Sequence, residues 1–133
     1  MKCLLDTHSF IWAITDIKQL SVKAKRIIED TNNEVCISVV TFWEMSIKHS
    51  LGKMTFGDLV TEDFIELARE SSFSIVELSA PLAATVYRLP WRKNHKDPFD
   101  RMLVWKAIQS EFHLISKDSD FHLYNDLGLK LIW

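Results

Sequence analysis

The chain predicts an α/β fold with a mostly parallel sheet, and three observations carry that expectation. Short apolar runs recur along it at Lys2–Leu5, Val35–Val40, Ser74–Leu78, His113–Ser116 and Leu129–Trp133. Helix-like segments separate them, and strands alternating with helices imply βαβ units with right-handed crossovers. At 133 residues the chain matches a single domain, residues 1–133, with its own core.

Each element has a local reason. Lys2–Leu5 is short, apolar and bounded by polar residues, as a buried opening strand would be. Ser9–Ile14 follows as a helix, and Ser21 is placed to cap another from Val22 to Ile28, ending near Asp30-Thr31-Asn32-Asn33. Val35–Val40 is β-branched and continuous, the pattern of a central strand covered on both faces. Thr41 is read as the cap of a helix over Phe42–Leu51, which Gly52 stops and which places Glu44 in its first turn. Thr61-Glu62-Asp63 opens Phe64–Arg69, and Ser74–Leu78 alternates as a third strand. Ser79-Ala80-Pro81 starts the next helix and Pro90 closes it. Pro98 suits the start of Phe99–Gln109, which puts Asp100 in a first turn.

Composition excludes several classes. With 47% hydrophobic and 26% charged residues, three Gly and three Pro, no disordered or low-complexity segment is expected. Cys3 and Cys36 lie inside apolar runs and read as reduced core thiols. Asp6 and His8 interrupt the first run before a signal sequence could form, and no stretch reaches the roughly 18 apolar residues of a membrane span. A cytoplasmic protein without membrane contact is the expectation. The net charge of −2 rules out bulk attraction to nucleic acid, so any such contact must be local. Trp91-Arg92-Lys93-Asn94-His95-Lys96 is the basic segment that could supply it: Arg92, Lys93 and Lys96 for phosphates, Trp91 for stacking on an unpaired base.

Four acids carry the chemistry. Asp6 and Asp118 follow predicted strand ends, while Glu44 and Asp100 sit at predicted helix starts. In open α/β sheets those positions share one edge, where ligands bind. First-turn acids also favour the helix dipole, so each alone could be only a helix starter. Clustered carboxylates repel one another and require a cation, Mg²⁺ or Mn²⁺ being the ions that prefer oxygen ligands. Such ions activate water and neutralise developing charge in phosphodiester hydrolysis. Asp6 and Asp100 are the preferred direct ligands, and Glu44 and Asp118 bind through water or serve as base. Thr7 is either a hydroxyl or backbone donor to a phosphate or a metal-bound water or a helix cap, Asp97 a cap, and Asp120 a supporting acid.

Other chemistries find less support. The five histidines show no His-Glu-x-x-His spacing and the cysteines no Cys-x-x-Cys, which argues against zinc. No Gly-rich loop follows a strand, which removes Walker-type and dinucleotide sites. Asp6-Thr7-His8 lacks a second aspartate two positions on, which disfavours a phosphoryl-aspartate enzyme. Trp12, Trp43 and Trp105 fall in helical segments and read as core. Arg101 reads as an ion-pair partner of a nearby acid or as a phosphate contact.

At these residues the chain resembles the PIN-domain ribonucleases, and among them the VapC-type toxins of prokaryotic toxin–antitoxin pairs. The resemblance runs through Leu4-Leu5-Asp6-Thr7-His8 with Trp12, Ile37-Ser38-Val39-Val40, Trp43-Glu44-Met45-Ser46-Ile47-Lys48, Leu51-Gly52-Lys53, and Ser116-Lys117-Asp118 before Phe121. Its most specific part is His95-Lys96-Asp97-Pro98-Phe99-Asp100-Arg101-Met102-Leu103. It implies a PIN-like three-layer α/β/α sandwich, Mg²⁺ or Mn²⁺, endonucleolytic cleavage of RNA, homodimers, and a VapB-like antitoxin that occludes the acidic site. The family's acids fall on Asp6, Glu44, Asp100 and Asp118, with Asp120 close enough to compete for the fourth place. Trp105-Lys106 departs from the small residue and glutamine usual there, a difference of packing rather than chemistry. The rival expectation is a non-catalytic PIN-like module that binds RNA or protein, which an intact acidic quartet disfavours.

Overall fold

Five strands, β1 (Lys2–Leu5), β2 (Glu34–Ser38), β3 (Ser74–Val76), β4 (His113–Ile115) and β5 (Lys130–Ile132), pair in the order β3-β2-β1-β4-β5. Every pairing is parallel, with Leu4 opposite Cys36 on one side of β1 and Leu114 on the other. The computed structural model describes all 133 residues. Strand order runs one way from β1 to β3 and the other way from β1 to β5, so the topological switch point lies between β1 and β4.

The helices are α1 (Thr7–Thr15), α2 (Val22–Glu29), α3 (Val39–Ser50), α4 (Asp63–Glu70), α5 (Ala80–Thr85) and α6 (Pro98–Ser110). Short 3₁₀ segments cover Ile17–Gln19 and Val86–Arg88, and a longer one covers Ser119–Leu127. Alternate strand residues feed two cores, one per sheet face. Cys3, Leu5, Val35, Ile37 and Ile115 pack with Phe10, Met45 and Phe64. Leu4, Cys36 and Leu114 pack on the other face with Leu103, Val104, Phe121 and Tyr124. That is the three-layer α/β/α sandwich expected. Each fully buried Leu, Ile or Phe contributes about 1.5–3 kcal/mol, so the short strands are held by what covers them more than by their ladders. Cys3 and Cys36 are buried and unbridged, as anticipated. No helix is long and apolar enough to cross a membrane.

Several element boundaries differ from expectation, and each difference has a cause. β2 ends at Ser38, and the chain turns into α3 at once because the Ser38 hydroxyl accepts the Val40 N–H at 3.1 Å. Burial of Val40 overrides the strand preference of Val39 and Val40. Thr41 is therefore no cap but a buried residue inside α3, and Glu44 stands in the second turn rather than the first. α1 begins two residues before the expected Ser9, because Asp6 is its cap and accepts the Ser9 N–H at 2.9 Å. β3 stops at Val76, and Ser79 caps α5 with 3.2 Å to the Leu82 N–H. Gly52, at φ 69°, follows the end of α3 as predicted.

Candidate active site

The switch point is built from chain ends. Asp6 leaves β1 and Ser116 leaves β4, so the two residues face each other across the crevice although 110 positions separate them. The Ser116 hydroxyl donates to Asp6 Oδ2 and also accepts the Asp118 N–H at 3.0 Å, which fixes the loop after β4 against the aspartate. Asp6 is buried, and burial lifts its pKa above the usual carboxylate value against the opposing pull of Ser116 and Ser9.

From α3, buried Glu44 receives the Thr7 hydroxyl at 2.5 Å and the ammonium of Lys48 one turn on. Thr7 is thus a donor to an acid and not a helix cap. Burial alone would lower the Lys48 pKa, but its bond to Glu44 and the fields of Asp97 and Asp100 raise it. Lys48 stays a cation here.

α6 brings the remaining chemistry. Asp97 caps it by accepting the Phe99 and Asp100 N–H groups at 2.9 and 3.0 Å, as foreseen. Asp100, in the first turn, is pushed up to about 8 by burial and then by the charges of Asp97, Glu44, Asp6 and Asp118. Five carboxylates therefore share one electrostatic neighbourhood. Asp118 is an exposed 3₁₀ cap, accepting the Asp120 N–H at 2.9 Å. Asp118 is among the acids whose charge acts on Asp100. An open cleft of about 350 Å³ lined by Asp6, His8, Trp12, Lys117 and Asp118 gives solvent and ligands access to this edge.

These side chains do not form a closed metal cage: no three acids, histidines or cysteines stand ready around one point. Oxygen donors and mutual repulsion, only partly offset by Lys48 on Glu44, nonetheless make a donor set that fits Mg²⁺ or Mn²⁺ better than softer ions.

The basic segment is a tight turn in which Arg92 and His95 bridge backbone to backbone, with Lys93 at φ 47°. Arg92 is pulled to Asp126 at 3.0 Å, whereas Lys93 and Lys96 are exposed. Trp91 is 68% exposed, and the Arg101 guanidinium lies over its ring at 3.8 Å from the centroid. Arg101 has no carboxylate partner and does not reach solvent: buried, it donates to the carbonyls of Leu89 and Pro90 at 2.7 and 3.1 Å. The expected ion pair or phosphate contact is replaced by a clamp on the chain entering the basic turn. Trp43 is 61% exposed rather than core, its ring edge-on to Phe99 at 5.3 Å. With Tyr87, Trp91 and Met102 these two line an apolar groove of about 270 Å³ beside the acids.

Four participants escaped the sequence reading as site residues: Lys48, Ser116, His95 and Tyr124. Lys48 lies four residues from Glu44, a helical spacing that could have revealed it. His95 is buried within 3.6 Å of Asp100, and its Nδ1 meets the Tyr124 hydroxyl at 2.7 Å.

Solved structures share this fold. VapBC2 from Rickettsia felis, bound to a promoter DNA fragment, matches at 17% identity with a TM-score of 0.67, over 99% of this chain and 98% of that one. DNA-bound VapBC from Salmonella typhimurium matches at 16% and 0.60, over 99% and 97%. VapBC-1 from nontypeable Haemophilus influenzae matches at 18% and 0.58, again over 99% and 97%. No curated protein matches the sequence. The PIN-domain family model matches residues 3–127, so nearly every element described above falls within it, and the chain belongs to the PIN-domain family.

Proposed function

We propose that the protein is a Mg²⁺- or Mn²⁺-dependent endoribonuclease acting as the toxin of a toxin–antitoxin pair. The observation that carries this reading is the crowding of Asp6, Glu44, Asp97 and Asp118 around Asp100, whose carboxyl is lifted to about 8 first by burial and then by their charges. A scaffold that merely gripped RNA would gain nothing from acids that repel phosphate, which weighs against the non-catalytic alternative. Asp6 and Asp100 would hold the cation directly, with Glu44 and Asp118 bound to it or to its water. The bound ion would lower the pKa of water and neutralise charge on the phosphate oxygens. Glu44, held by Thr7 and Lys48, keeps a fixed orientation toward the crevice. Asp118 is the most solvent-accessible of the four and so the best placed to accept a proton from an attacking water. Lys93 and Lys96 would draw the RNA backbone toward the crevice. Trp91, braced by Arg101, offers a face to an unpaired base.

The similarity to VapBC complexes supports a VapB-like antitoxin, and the resemblance to VapC-type toxins adds a homodimer; a cytoplasmic setting belongs to the same reading. The apolar groove supports association, since a continuous exposed patch of this kind marks an interaction surface. Trp43 and Phe99 are chain neighbours of Glu44 and Asp100, so a second copy seated there would bring two acidic centres close together.

Cleavage of a mixed cellular RNA pool by purified protein with Mg²⁺ or Mn²⁺ tests the reading, with EDTA, Asp6→Asn and Asp100→Asn as controls. Discrete metal-dependent fragments, lost at least 100-fold in either folded variant, are expected. Equal cleavage by a variant would sink the assignment. Sedimentation of the same sample reports the dimer, and RNA affinity that keeps its salt slope after Lys93→Ala and Lys96→Ala would remove those lysines from the contact.

A further inference from the structure

Asp100 differs from the other acids in what supports it. Asp6 has Ser9 and Ser116, Glu44 has Thr7 and Lys48, and Asp97 and Asp118 accept backbone N–H groups. The Asp100 carboxylate accepts no hydrogen bond; His95 Nε2 stands 3.6 Å from its Oδ2. That nitrogen is buried and has no other partner. A buried polar atom aimed at a carboxylate calls for an account of its proton.

Donor and acceptor roles supply one. Arg101 only donates, and its Nη1 lies 3.4 Å from the Tyr124 hydroxyl oxygen. With that oxygen accepting from Arg101, the phenolic hydrogen is free to point at His95 Nδ1, 2.7 Å away. Nδ1 is then the acceptor, and the ring N–H is the one on Nε2, facing Asp100. Facing an ionised Asp100 that holds a cation, the opposite tautomer would set a nitrogen lone pair against carboxylate oxygen, and in either state it would leave the tyrosine hydrogen unused. Packing holds the ring in place: Phe121 and Tyr124 meet it edge-on at 5.6 and 5.4 Å, and the His95 N–H closes the basic turn on the Arg92 carbonyl at 3.0 Å.

We propose that His95 is a positioning residue for Asp100: the donor chain Arg101–Tyr124–His95 ends in an Nε2–H that faces Oδ2 and would close on it to keep Asp100 placed as a ligand for a divalent cation. This rests on the metal-dependent reading above. Outer partners that orient a ligating carboxylate commonly change metal affinity 10–100-fold when removed.

The experiment is Mn²⁺ titration calorimetry on the purified protein and two variants, with nitrogen NMR of the histidine tautomer in the wild type. His95→Gln returns an N–H donor near the Nε2 position, and His95→Asn, of similar polarity, does not reach it. His95→Asn is expected to weaken Mn²⁺ binding about 10–100-fold and His95→Gln to recover most of that loss. With Mg²⁺ bound and Asp100 therefore ionised, the NMR spectrum is expected to show Nε2 protonated and Nδ1 unprotonated, and Tyr124→Phe to disturb that preference. Wild-type affinity in His95→Asn, or an Nδ1–H tautomer, would overturn the proposal, the latter even if no variant folds. A wild type that neither binds Mn²⁺ nor cuts RNA would overturn the nuclease reading and the cation role together. A cutting wild type with an indifferent His95→Asn overturns the positioning role alone.

Discussion

Asp100 has little shelter and a strong field against it, and the sign of the consequence is fixed. Its folded pKa, about 8, lies above the roughly 4 of an unfolded carboxylate. Between those values the folded form binds a proton that the unfolded chain releases. The stability linked to that proton is complete below about pH 4 and is lost as pH rises through about 8. Asp100→Asn should therefore stabilise the metal-free protein at pH 8.5 by roughly 3 kcal/mol, after discounting for partial exposure and shared charge, and change little at pH 4. Thermal melts in EDTA at the two pH values measure it; an asparagine variant no more stable at pH 8.5 would refute the crowding. The acids themselves were legible in the sequence because strand ends and helix starts are local features. Their partnerships were not, since Thr7, although a candidate donor, meets Glu44 across 37 positions and Ser116 meets Asp6 across 110, and no local pattern records such a meeting.

At the scale of elements, the start of α6 combines two effects on one residue. Asp97 caps the helix through Phe99 and Asp100 and is also the largest charge acting on Asp100. Asparagine keeps the cap and removes the charge, whereas alanine removes both. Asp97→Ala should therefore be less stable than Asp97→Asn by about 1 kcal/mol at any pH. The asparagine variant should exceed the wild type only above neutral pH, where Asp100 begins to ionise. Urea unfolding of the pair separates the roles, and equal stability of the two variants would mean that the cap contributes nothing. α6 could be read from Asp97-Pro98 because capping and a first-turn proline are written in adjacent residues. The start of α3 departs from the sequence pattern for the converse reason: Val39 and Val40 look like strand, and only burial of Val40 behind the Ser38 cap makes them helix. The exposure of Trp43 followed the same limit, since an aromatic on a helix does not say which face the fold leaves open.

Across the whole molecule, parallel strands converge their carboxyl ends on one crevice, and the site is assembled at the cost of like charges held together in a partly buried place. Such an arrangement is weakest where its acids are ionised and uncompensated, and a divalent cation would reverse that weakness. Mn²⁺ should raise the melting temperature, by the equivalent of about 2.7 kcal/mol at a hundredfold excess over its dissociation constant. Because the ion must displace the proton that Asp100 retains up to about pH 8, the gain should be smaller at pH 6 than at pH 8.5. Asp100→Asn should lose most of the gain and nearly all of its pH dependence, while Asp120→Asn should keep both, since the Asp120 side chain is exposed and is not one of the four acids proposed to hold the ion. Melts at both pH values, with and without Mn²⁺, decide the matter. A metal-induced shift that is the same at pH 6 and pH 8.5, or that survives in Asp100→Asn, would place the cation away from this crevice.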